Sequence, residues 1–301
     1  MNMVQAVNSA LDNMLSKDKD VLVFGEDVGY FGGVFRTTDG LQEKHGAHRV
    51  FDTPLSEGGI AAIAFGMGLN GLKPVCEIQF ADYIFPAYDQ IVNEIAKLRH
   101  RSGGEFWTPI TIRTPAGGGI RGGHHHSQSP ESQFTHTPGL KVVYSSTPYN
   151  AKGLLISAIE SEDPVIVFEP KRCYRGPFYG DPHKVPTWSG HAEAEVPDVH
   201  YTVPIGEARL VNEGNDCTVI AWGTMVHVCE EGIRQSGASC DLIDLQSLIP
   251  WDREAVVRSV KKTGRCVIVH EAPKTSGYGA EMAASVQERC FWSLEAPVTR
   301  V

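Results

Sequence analysis

A chain of 301 residues, 42% of them hydrophobic, is long enough to bury a large core, and its length predicts two α/β domains. The formal net charge of −9, from 27 basic and 36 acidic side chains, argues against nucleic acid or an anionic membrane as the main partner. No apolar run is long enough to span a bilayer, and the first residues lack the pattern of a signal peptide. The seven cysteines are scattered and form no Cys-x-x-Cys pair, which is typical of a reducing compartment.

The first part of the chain alternates between short apolar strands and helices. It opens with an amphipathic helix from Val4 to Leu15. Such alternation predicts a parallel sheet that is covered by helices on both faces. Strands are predicted at 21–25, 74–79, 111–114, 141–144 and 165–168, and helices at 83–98 and 148–159.

A second, smaller alternation follows a segment rich in Pro, Gly, His and acidic residues. That segment breaks the pattern and predicts an interdomain crossing. We therefore expect domains at 1–180 and 205–301, with a crossing at 181–204. The second domain is predicted to hold strands at 218–222, 241–245 and 266–270 and helices near 226–235, 252–262 and 279–291.

The segment Thr53–Leu72 contains one ionisable residue, Glu57, in an otherwise apolar and glycine-rich helix. The pair Thr53-Pro54 indicates a helix start, and a helix that is apolar on every side is expected to be buried. A carboxylate in the first turn of a helix complements the helix dipole. The alternative is that Glu57 faces a ligand in a dry site and exchanges a proton with it.

Two further groups are candidates for a site. Tyr83 follows the carboxyl end of a predicted strand, where open α/β sheets bind ligands, although a core or interface aromatic is the commoner use of tyrosine. The loop from Pro115 to Glu131 contains the consecutive histidines 124–126. Three adjacent histidines rarely share one metal ion, because neighbouring side chains on an extended chain point apart. Two interpretations of these histidines remain. The segment is either a plain solvent-exposed loop, or a loop in which one histidine donates or accepts a proton.

Seven segments, taken in order along nearly the whole chain, resemble the beta subunits of thiamine-diphosphate-dependent 2-oxoacid dehydrogenases. The start of the third segment, Tyr83–Ala87, and the fourth segment make the chain most similar to the branched-chain (2-oxoisovalerate) members of this family. An ordered set of this kind is more specific than any single motif. The segments are Phe24–Gly29, Asp52–Ile60, Tyr83–Glu94, His126–Glu131, Phe168–Arg172, Ala221–Val226 and Asp244–Asp252.

The resemblance implies a pyrimidine-binding domain, a transketolase C-terminal-like domain and an α2β2 heterotetramer with thiamine diphosphate between α and β subunits. The family's α subunit holds the diphosphate through Mg²⁺ with a Gly-Asp-Gly motif, which this chain does not contain. The implied reaction is oxidative decarboxylation of a 2-oxoacid with acyl transfer to the lipoyl arm of a transacylase core. The implied compartment is the cytoplasm in a bacterium, or the mitochondrial matrix in a eukaryote.

By the same resemblance, Glu57 is the carboxylate that hydrogen-bonds N1′ of the cofactor's pyrimidine and so promotes loss of the thiazolium C2 proton. Leu55 is implied as a backbone contact to the pyrimidine, and Tyr83 as the aromatic that packs on it. His126 is implied as the active-site histidine that protonates the lipoyl dithiolane. Glu26 is implied as a further residue at the cofactor, on a proton path.

The resemblance also implies a K⁺ ion held by backbone carbonyls, with Ser161 where an acidic residue is expected. The chain stops at Val301, where family members continue with a strand and a helix, so the resemblance implies a second domain without its last elements. The carbonyl groups implied for K⁺ belong to Ile110, Ala158, Ile159, Ser161 and Asp163.

Three functions stay open at this point. The first is a catalytic beta subunit of a branched-chain 2-oxoacid dehydrogenase. The second is the beta subunit of a pyruvate or acetoin dehydrogenase. The third is a non-catalytic subunit that only scaffolds an α partner or the transacylase core. A scaffold has no need of a buried carboxylate, so Glu57 and Tyr83 favour catalysis.

Overall fold

The computed structural model of the chain describes residues 1–174 and 193–301. Of the crossing expected at 181–204, residues 181–192 lie outside the described part. The helices of the described part are α1 Met3–Lys17, α2 Leu41–His45, α3 Glu57–Leu69, α4 Leu98–Arg101, α5 Glu131–Thr135, α6 Pro148–Glu160, α7 Thr224–Ser236, α8 Arg253–Thr263 and α9 Tyr278–Cys290. The strands are β1 Val21–Gly25, β2 Val50–Asp52, β3 Lys73–Glu77, β4 Thr111–Ala116, β5 Lys141–Tyr144, β6 Val165–Pro170, β7 Arg209–Asn212, β8 Cys217–Ala221, β9 Cys240–Asp244, β10 Ser247–Ile249, β11 Cys266–Val269 and β12 Thr299–Arg300.

The first sheet has seven strands in the order β10-β5-β6-β4-β3-β1-β2. All its pairs are parallel except β10 with β5. Most positions of β1, β3, β4, β5 and β6 are buried, as expected for a sheet with covered faces. The carboxyl ends of the six parallel strands therefore meet at one edge of this sheet.

Two of the helices that cover this sheet, α1 and α6, pack against each other. At the start of α1, Asn2 and Gln5 form a reciprocal capping box, which satisfies two amide groups that the helix leaves free. At the start of α6, Thr147 caps the helix by accepting a hydrogen bond from the Asn150 amide. The apolar stripe of α1 is buried, so its predicted amphipathic character is confirmed.

The second sheet has five strands in the order β12-β11-β8-β9-β7, and only its β7–β9 pair is antiparallel. The expectation of two α/β domains built on largely parallel sheets is confirmed. The sequence did not reveal that β10, from the second half of the chain, adds the antiparallel edge strand of the first sheet.

The prediction of one long helix at 83–98 is wrong. The chain instead forms short 3₁₀ turns at Ala81–Tyr83 and Phe85–Ala87, a π-helical turn at Gln90–Ile95, and then α4. Pro86 lies in the second of these turns, and a proline removes a backbone donor and disfavours the α conformation in the residue before it. The periodic apolar pattern persists because Ile84, Ile91 and Ile95 are still buried.

Two expectations for α3 are also wrong. The helix begins at Glu57 with Ser56 at its N-cap, because the preceding residues form an irregular turn rather than the first helical turn. Its burial is one-sided: Ile60, Ala61, Ala64 and Gly68 are buried, whereas the opposite face is open in the single chain. On that face, Ile63 is 45% exposed and Leu69 is 41% exposed.

Side chains from the two halves of the chain meet in the interior. The indole Nε1 of Trp222 donates to Glu131 at 3.2 Å, and His227 Nε2 donates to the carbonyl of Ser146 at 2.7 Å. Ser146 Oγ also donates to Asp244. Within residues 1–174 and 193–301, no helix combines the length and the hydropathy that a bilayer crossing needs.

Candidate active site

Four predicted site residues lie beyond the carboxyl ends of four adjacent strands. Glu57 follows β2, Glu26 follows β1, Tyr83 follows β3 and His126 follows β4, and these strands are neighbours in the first sheet. In an open sheet of this kind, β1 and β3 flank the point at which the strand order reverses, and ligands bind in the crevice outside that point. The fold therefore brings together residues that are up to about 100 positions apart.

The acidic part of this edge centres on Glu26. Its side chain is buried, and Oε1 has no hydrogen-bond partner. Burial, followed by the nearby charges of Glu57, Asp27 and Glu77, raises the pKa of Glu26. A buried carboxyl oxygen with an unused lone pair beside a second carboxylate is a feature that a bound ligand or a proton can satisfy.

Glu57 is half-buried at the first position of α3. The next residue, Gly58, lies against the turn that contains Pro86, since a Cβ atom at position 58 would stand 3.0 Å from the Pro86 carbonyl oxygen. A glycine there lets the start of the helix approach the turn that follows Tyr83. Glu57 thus has the helix-start position that stabilises a carboxylate, and its charge also acts on Glu26.

His126 and Tyr83 contact each other directly. Nε2 of His126 lies 3.0 Å from the Tyr83 hydroxyl, and Nδ1 lies 3.0 Å from the carbonyl oxygen of Gly122. A carbonyl oxygen only accepts, so Nδ1 carries a proton, and Nε2 of the neutral ring accepts from Tyr83. The edge-to-face contact with Phe80, at 4.4 Å between ring centroids, fixes the plane of the imidazole.

The other two histidines have different surroundings. His124 and His125 are exposed, and their rings lie 3.8 Å apart. Across the described ranges, no three or more His, Cys, Asp or Glu side chains are grouped so that they could hold a metal ion. Of the three histidines, it is His126 that packs into the site.

The loop that carries His126 is anchored on Asp82. The amides of Ser127 and Gln128 both donate to Asp82 Oδ1, each at 3.2 Å. The Gly117 amide donates to the Gln128 carbonyl at 2.9 Å, which closes the base of the loop. Asp82 is therefore a structural part of the site that the sequence reading missed.

A buried ion cluster lies behind the acidic edge. Arg113, which is fully buried, donates from Nε and Nη2 to the two carboxylate oxygens of Glu169, at 2.8 and 2.7 Å, and from Nη1 to Glu77. Tyr174 also donates to Glu169. Burial is the main reason that the pKa of Glu77 is raised, and Arg113 opposes that effect. Charged residues inside the apolar strands β3, β4 and β6 were the available sequence signal for this cluster.

Lys171 is a second buried cation at the same edge, only 2% exposed at the end of β6. Its Nζ lies 3.4 Å from the Pro115 carbonyl and 5.6 Å from the centroid of the Phe80 ring. Burial lowers the pKa of Lys171 to about 8, although Asp82 and Glu271 act in the opposite direction. Lys171 lies next to the Phe80 ring that packs on His126, and it adds positive charge at this edge of the first sheet.

Leu55 and the predicted potassium segment lie in different places. Leu55 is 81% exposed in the turn before α3. At the potassium segment, Lys141 Nζ lies 3.0 Å from Ser161 Oγ and 3.2 Å from Asp163. Burial acts to raise the pKa of Asp163, but hydrogen bonds from Arg99 and Lys141 keep that pKa below its usual range. This segment lies at the opposite end of β6 from Lys171, because Asp163 precedes that strand.

Two family models and several relatives match this chain. The family model "Transketolase, pyrimidine binding domain" matches residues 1–177, and "Transketolase, C-terminal domain" matches residues 206–301. The chain is 57% identical over 302 residues to the 2-oxoisovalerate dehydrogenase subunit beta of Pseudomonas aeruginosa, covering 100% of this chain and 86% of the relative. It is 46% identical over 303 residues to the pyruvate dehydrogenase E1 component subunit beta of Acholeplasma laidlawii, covering 100% and 88%.

A solved structure supports the fold alone. The inactive beta4 tetramer of a split-gene transketolase superposes with a TM-score of 0.74 at 21% identity, covering 100% of this chain and 88% of that chain. The two family matches cover both sheets, and the identity to the Pseudomonas protein extends over the whole chain. The chain therefore belongs to the transketolase-like family of thiamine-diphosphate-dependent 2-oxoacid dehydrogenase beta subunits.

Proposed function

We propose that this chain is the beta subunit of the decarboxylating component of a branched-chain 2-oxoacid dehydrogenase, acting on 2-oxoisovalerate-type acids. The observation that carries the proposal is the meeting of Glu57, Glu26, Tyr83 and His126 at one edge of the first sheet. The higher identity to the 2-oxoisovalerate relative than to the pyruvate relative supports the branched-chain substrate. The domain division at 1–180 and 205–301 is part of the proposal and is supported by the two family matches.

The residues present suit one end of thiamine diphosphate, its pyrimidine. Glu57 offers a carboxylate, Tyr83 a half-buried ring, and Glu26 a buried oxygen without a partner. The diphosphate end needs Mg²⁺ and its ligands, which we assign to an α subunit because this chain has no Gly-Asp-Gly motif. When bound, thiamine diphosphate supplies the nucleophilic carbon and the electron sink for decarboxylation of a 2-oxoacid.

In this proposal Glu57 would hold the pyrimidine ring through a hydrogen bond at N1′. A charge-assisted hydrogen bond of this kind strengthens when water is excluded. The isolated chain leaves Glu57 half-buried, so we propose that the α subunit completes its burial. Glu26, whose pKa is raised by burial and by neighbouring acids, would pass protons to and from Glu57.

Tyr83 and Leu55 have supporting roles in the proposal. Tyr83 would pack on the pyrimidine while its hydroxyl donates to His126, whose tautomer is set by the Gly122 carbonyl at Nδ1. The exposed turn at Leu55 would offer a backbone group to the same ring. Leu55 lies two residues before Glu57, so one short segment would position both contacts.

His126 is the proton donor that we assign to acyl transfer. Reductive acylation opens the lipoyl dithiolane and needs one proton on the sulfur that leaves. An imidazole on an exposed loop can reach a lipoyl arm that enters from solvent and can act there as a general acid. The Gly122 carbonyl holds the Nδ1 proton, so Nε2 is the atom that delivers the proton.

Other parts of the chain support the partner subunit and the K⁺ ion that we propose. The open apolar face of α3, with Ile63 and Leu69, supports burial against another subunit of an α2β2 assembly. We also propose a K⁺ ion bound by the backbone carbonyls near Ala158 and Asp163. Each of these two carbonyl oxygens accepts a hydrogen bond from Ser161. Because a carbonyl oxygen has two lone pairs, each oxygen keeps one lone pair for the ion. A lipoyl-bearing transacylase core and a bacterial cytoplasmic location complete the proposal.

The test is CO₂ release from 2-oxoisovalerate and from pyruvate by this chain with and without an α partner, thiamine diphosphate and Mg²⁺. We expect activity only with the partner, and more with 2-oxoisovalerate. Glu57→Gln should keep assembly and reduce CO₂ release by at least roughly a hundredfold, because an amide cannot exchange the proton. Glu43→Gln, at an exposed position of α2, is the matched control.

The outcomes separate the alternatives. Preference for pyruvate would keep the chemistry and change the substrate. Turnover by Glu57→Gln equal to that of the unmodified chain would favour the scaffold. Activity of this chain without an α subunit would contradict the shared site, because residues of this chain would then have to hold the diphosphate.

A further inference from the structure

The base of the His126 loop is held by a residue from the second half of the chain. The amide of Gly118 donates to Oε1 of Glu271 at 2.7 Å. Glu271 follows β11 of the second sheet, whereas Gly118 follows β4 of the first. The contact therefore joins the domain that carries the predicted active-site residues to the other domain.

The backbone of the two glycines at the start of the loop lies close against this carboxylate. A Cβ atom on Gly117 would stand 2.6 Å from Oε2 of Glu271, and one on Gly118 would stand 3.3 Å from Oε1. Gly117 also has φ +77°, a conformation that side chains disfavour. The Gly118 amide in this turn binds an anion, whereas the Gly117 amide donates to the Gln128 carbonyl. Here the anion is a side chain of the same protein.

Charge at the loop base points to the same arrangement. Asp82 accepts from the amides of Ser127 and Gln128 at one end of the loop, and Glu271 accepts from Gly118 at the other. Both carboxylates act electrostatically on Lys171, which packs on the Phe80 ring beside His126. Two carboxylates thus fix both ends of the loop around a buried cation.

The Glu271 contact is also open to solvent. Glu271 is exposed and lines a cavity of about 1170 Å³ between the two domains, together with Gln128 and Tyr278. Water competes for an exposed hydrogen bond, so the contact holds the loop with a small free energy. A small free energy suits a loop that must admit and release a substrate arm.

We propose that Glu271 is a positioning residue for His126. Its carboxylate holds the Gly117-Gly118 turn so that the histidine stays beside Tyr83 at the edge of the first sheet. The proposal rests on the acyl-transfer role assigned to His126 above. It predicts that the second domain influences acyl transfer through the loop, without a side chain of its own at the reacting atoms.

The first experiment measures hydrogen exchange of residues 117–128 in the full chain. Glu271→Ala should speed exchange of the Gly118 amide by roughly fivefold, the order expected for one hydrogen bond to a charged acceptor at an exposed site. Glu271→Gln, which retains an acceptor oxygen, should have an intermediate effect. Glu281→Gln changes another exposed carboxylate that lines the same cavity, and it should leave the loop unchanged.

The second experiment is a double-mutant cycle in the enzyme reconstituted with its α partner. Glu271→Ala should slow acylation of a lipoyl domain by roughly fivefold in the native background, and should have no further effect when His126 is already replaced by asparagine. Equal losses in both backgrounds would show that Glu271 acts on stability or on another group, and would overturn the proposal.

Failure of the proposal and failure of the proposed function give different results. Unchanged exchange of the Gly118 amide in Glu271→Ala overturns the positioning role alone. Full acylation activity in His126→Asn overturns the role of His126, and with it the positioning role. Absence of 2-oxoacid decarboxylation in the unmodified reconstituted enzyme overturns the proposed function, while the exchange result still decides whether Glu271 holds the loop.

Discussion

Glu131 should make the stability of this protein fall as the pH rises toward neutrality. Its carboxyl is 1% exposed and accepts one hydrogen bond from Trp222, and its Oε2 atom has no partner. Burial raises its pKa to about 7, against 4.5 for an ordinary glutamate. The raised value means that the folded chain retains a proton that the unfolded chain has released.

The magnitude follows from the two pKa values. Between them the unfolded chain binds fewer protons than the folded chain, so the free energy of unfolding decreases as the pH increases. Each pH unit of difference corresponds to about 1.4 kcal/mol. Between about pH 5 and about pH 8, Glu131 should thus remove roughly 2 to 3 kcal/mol, with no further loss well above its folded pKa.

The assay compares the unmodified chain with Glu131→Gln by urea denaturation across this pH range, followed by tryptophan fluorescence. Glutamine keeps an acceptor for Trp222 but does not titrate, so its packing cost is the same at every pH. The difference between the two stability curves should change by roughly 2 to 3 kcal/mol, and Glu213→Gln, on an exposed loop, should follow the unmodified chain. Parallel curves for Glu131→Gln and the unmodified chain would refute the reasoning.

Two further substitutions test the packing that supports the site. Arg113→Met should lower the free energy of unfolding by about 3 to 5 kcal/mol, because it leaves Glu77 and Glu169 buried without their cation; a loss below about 1 kcal/mol, measured by denaturation, would contradict this. Gly139→Ala should destabilise the chain by more than about 2 kcal/mol, since φ is +98° there and the added Cβ would overlap a backbone carbonyl oxygen. Gly104→Ala, which has a positive φ of +87° and open space around it, is the matched control, and equal melting temperatures for the two variants would exclude the steric argument.

Local patterns in the sequence were sufficient for most helices and strands. The apolar runs of β1, β5 and β6 and the amphipathic stripe of α1 predict these elements, because each pattern follows from the period of its own secondary structure. The pattern failed at 83–98, where Pro86 lies in a short 3₁₀ turn and Gln90–Ile95 form a π-helical turn, while the isoleucines of this segment remain buried. Hydrophobic periodicity records burial, and it does not record which backbone hydrogen bonds are made.

The sequence by itself determined the family, the α/β class and the residue types of the site. Glu57, Tyr83 and His126 stand out because they sit in short segments whose order along the chain is specific. Only the tertiary structure decided which groups meet them. The Tyr83–His126 hydrogen bond, the loop anchor from Glu271 and the addition of β10 to the first sheet join residues that are 43 or more positions apart, and no local pattern encodes such pairs. Strand order and domain packing set these distances, because parallel strands bring the ends of distant segments to one edge.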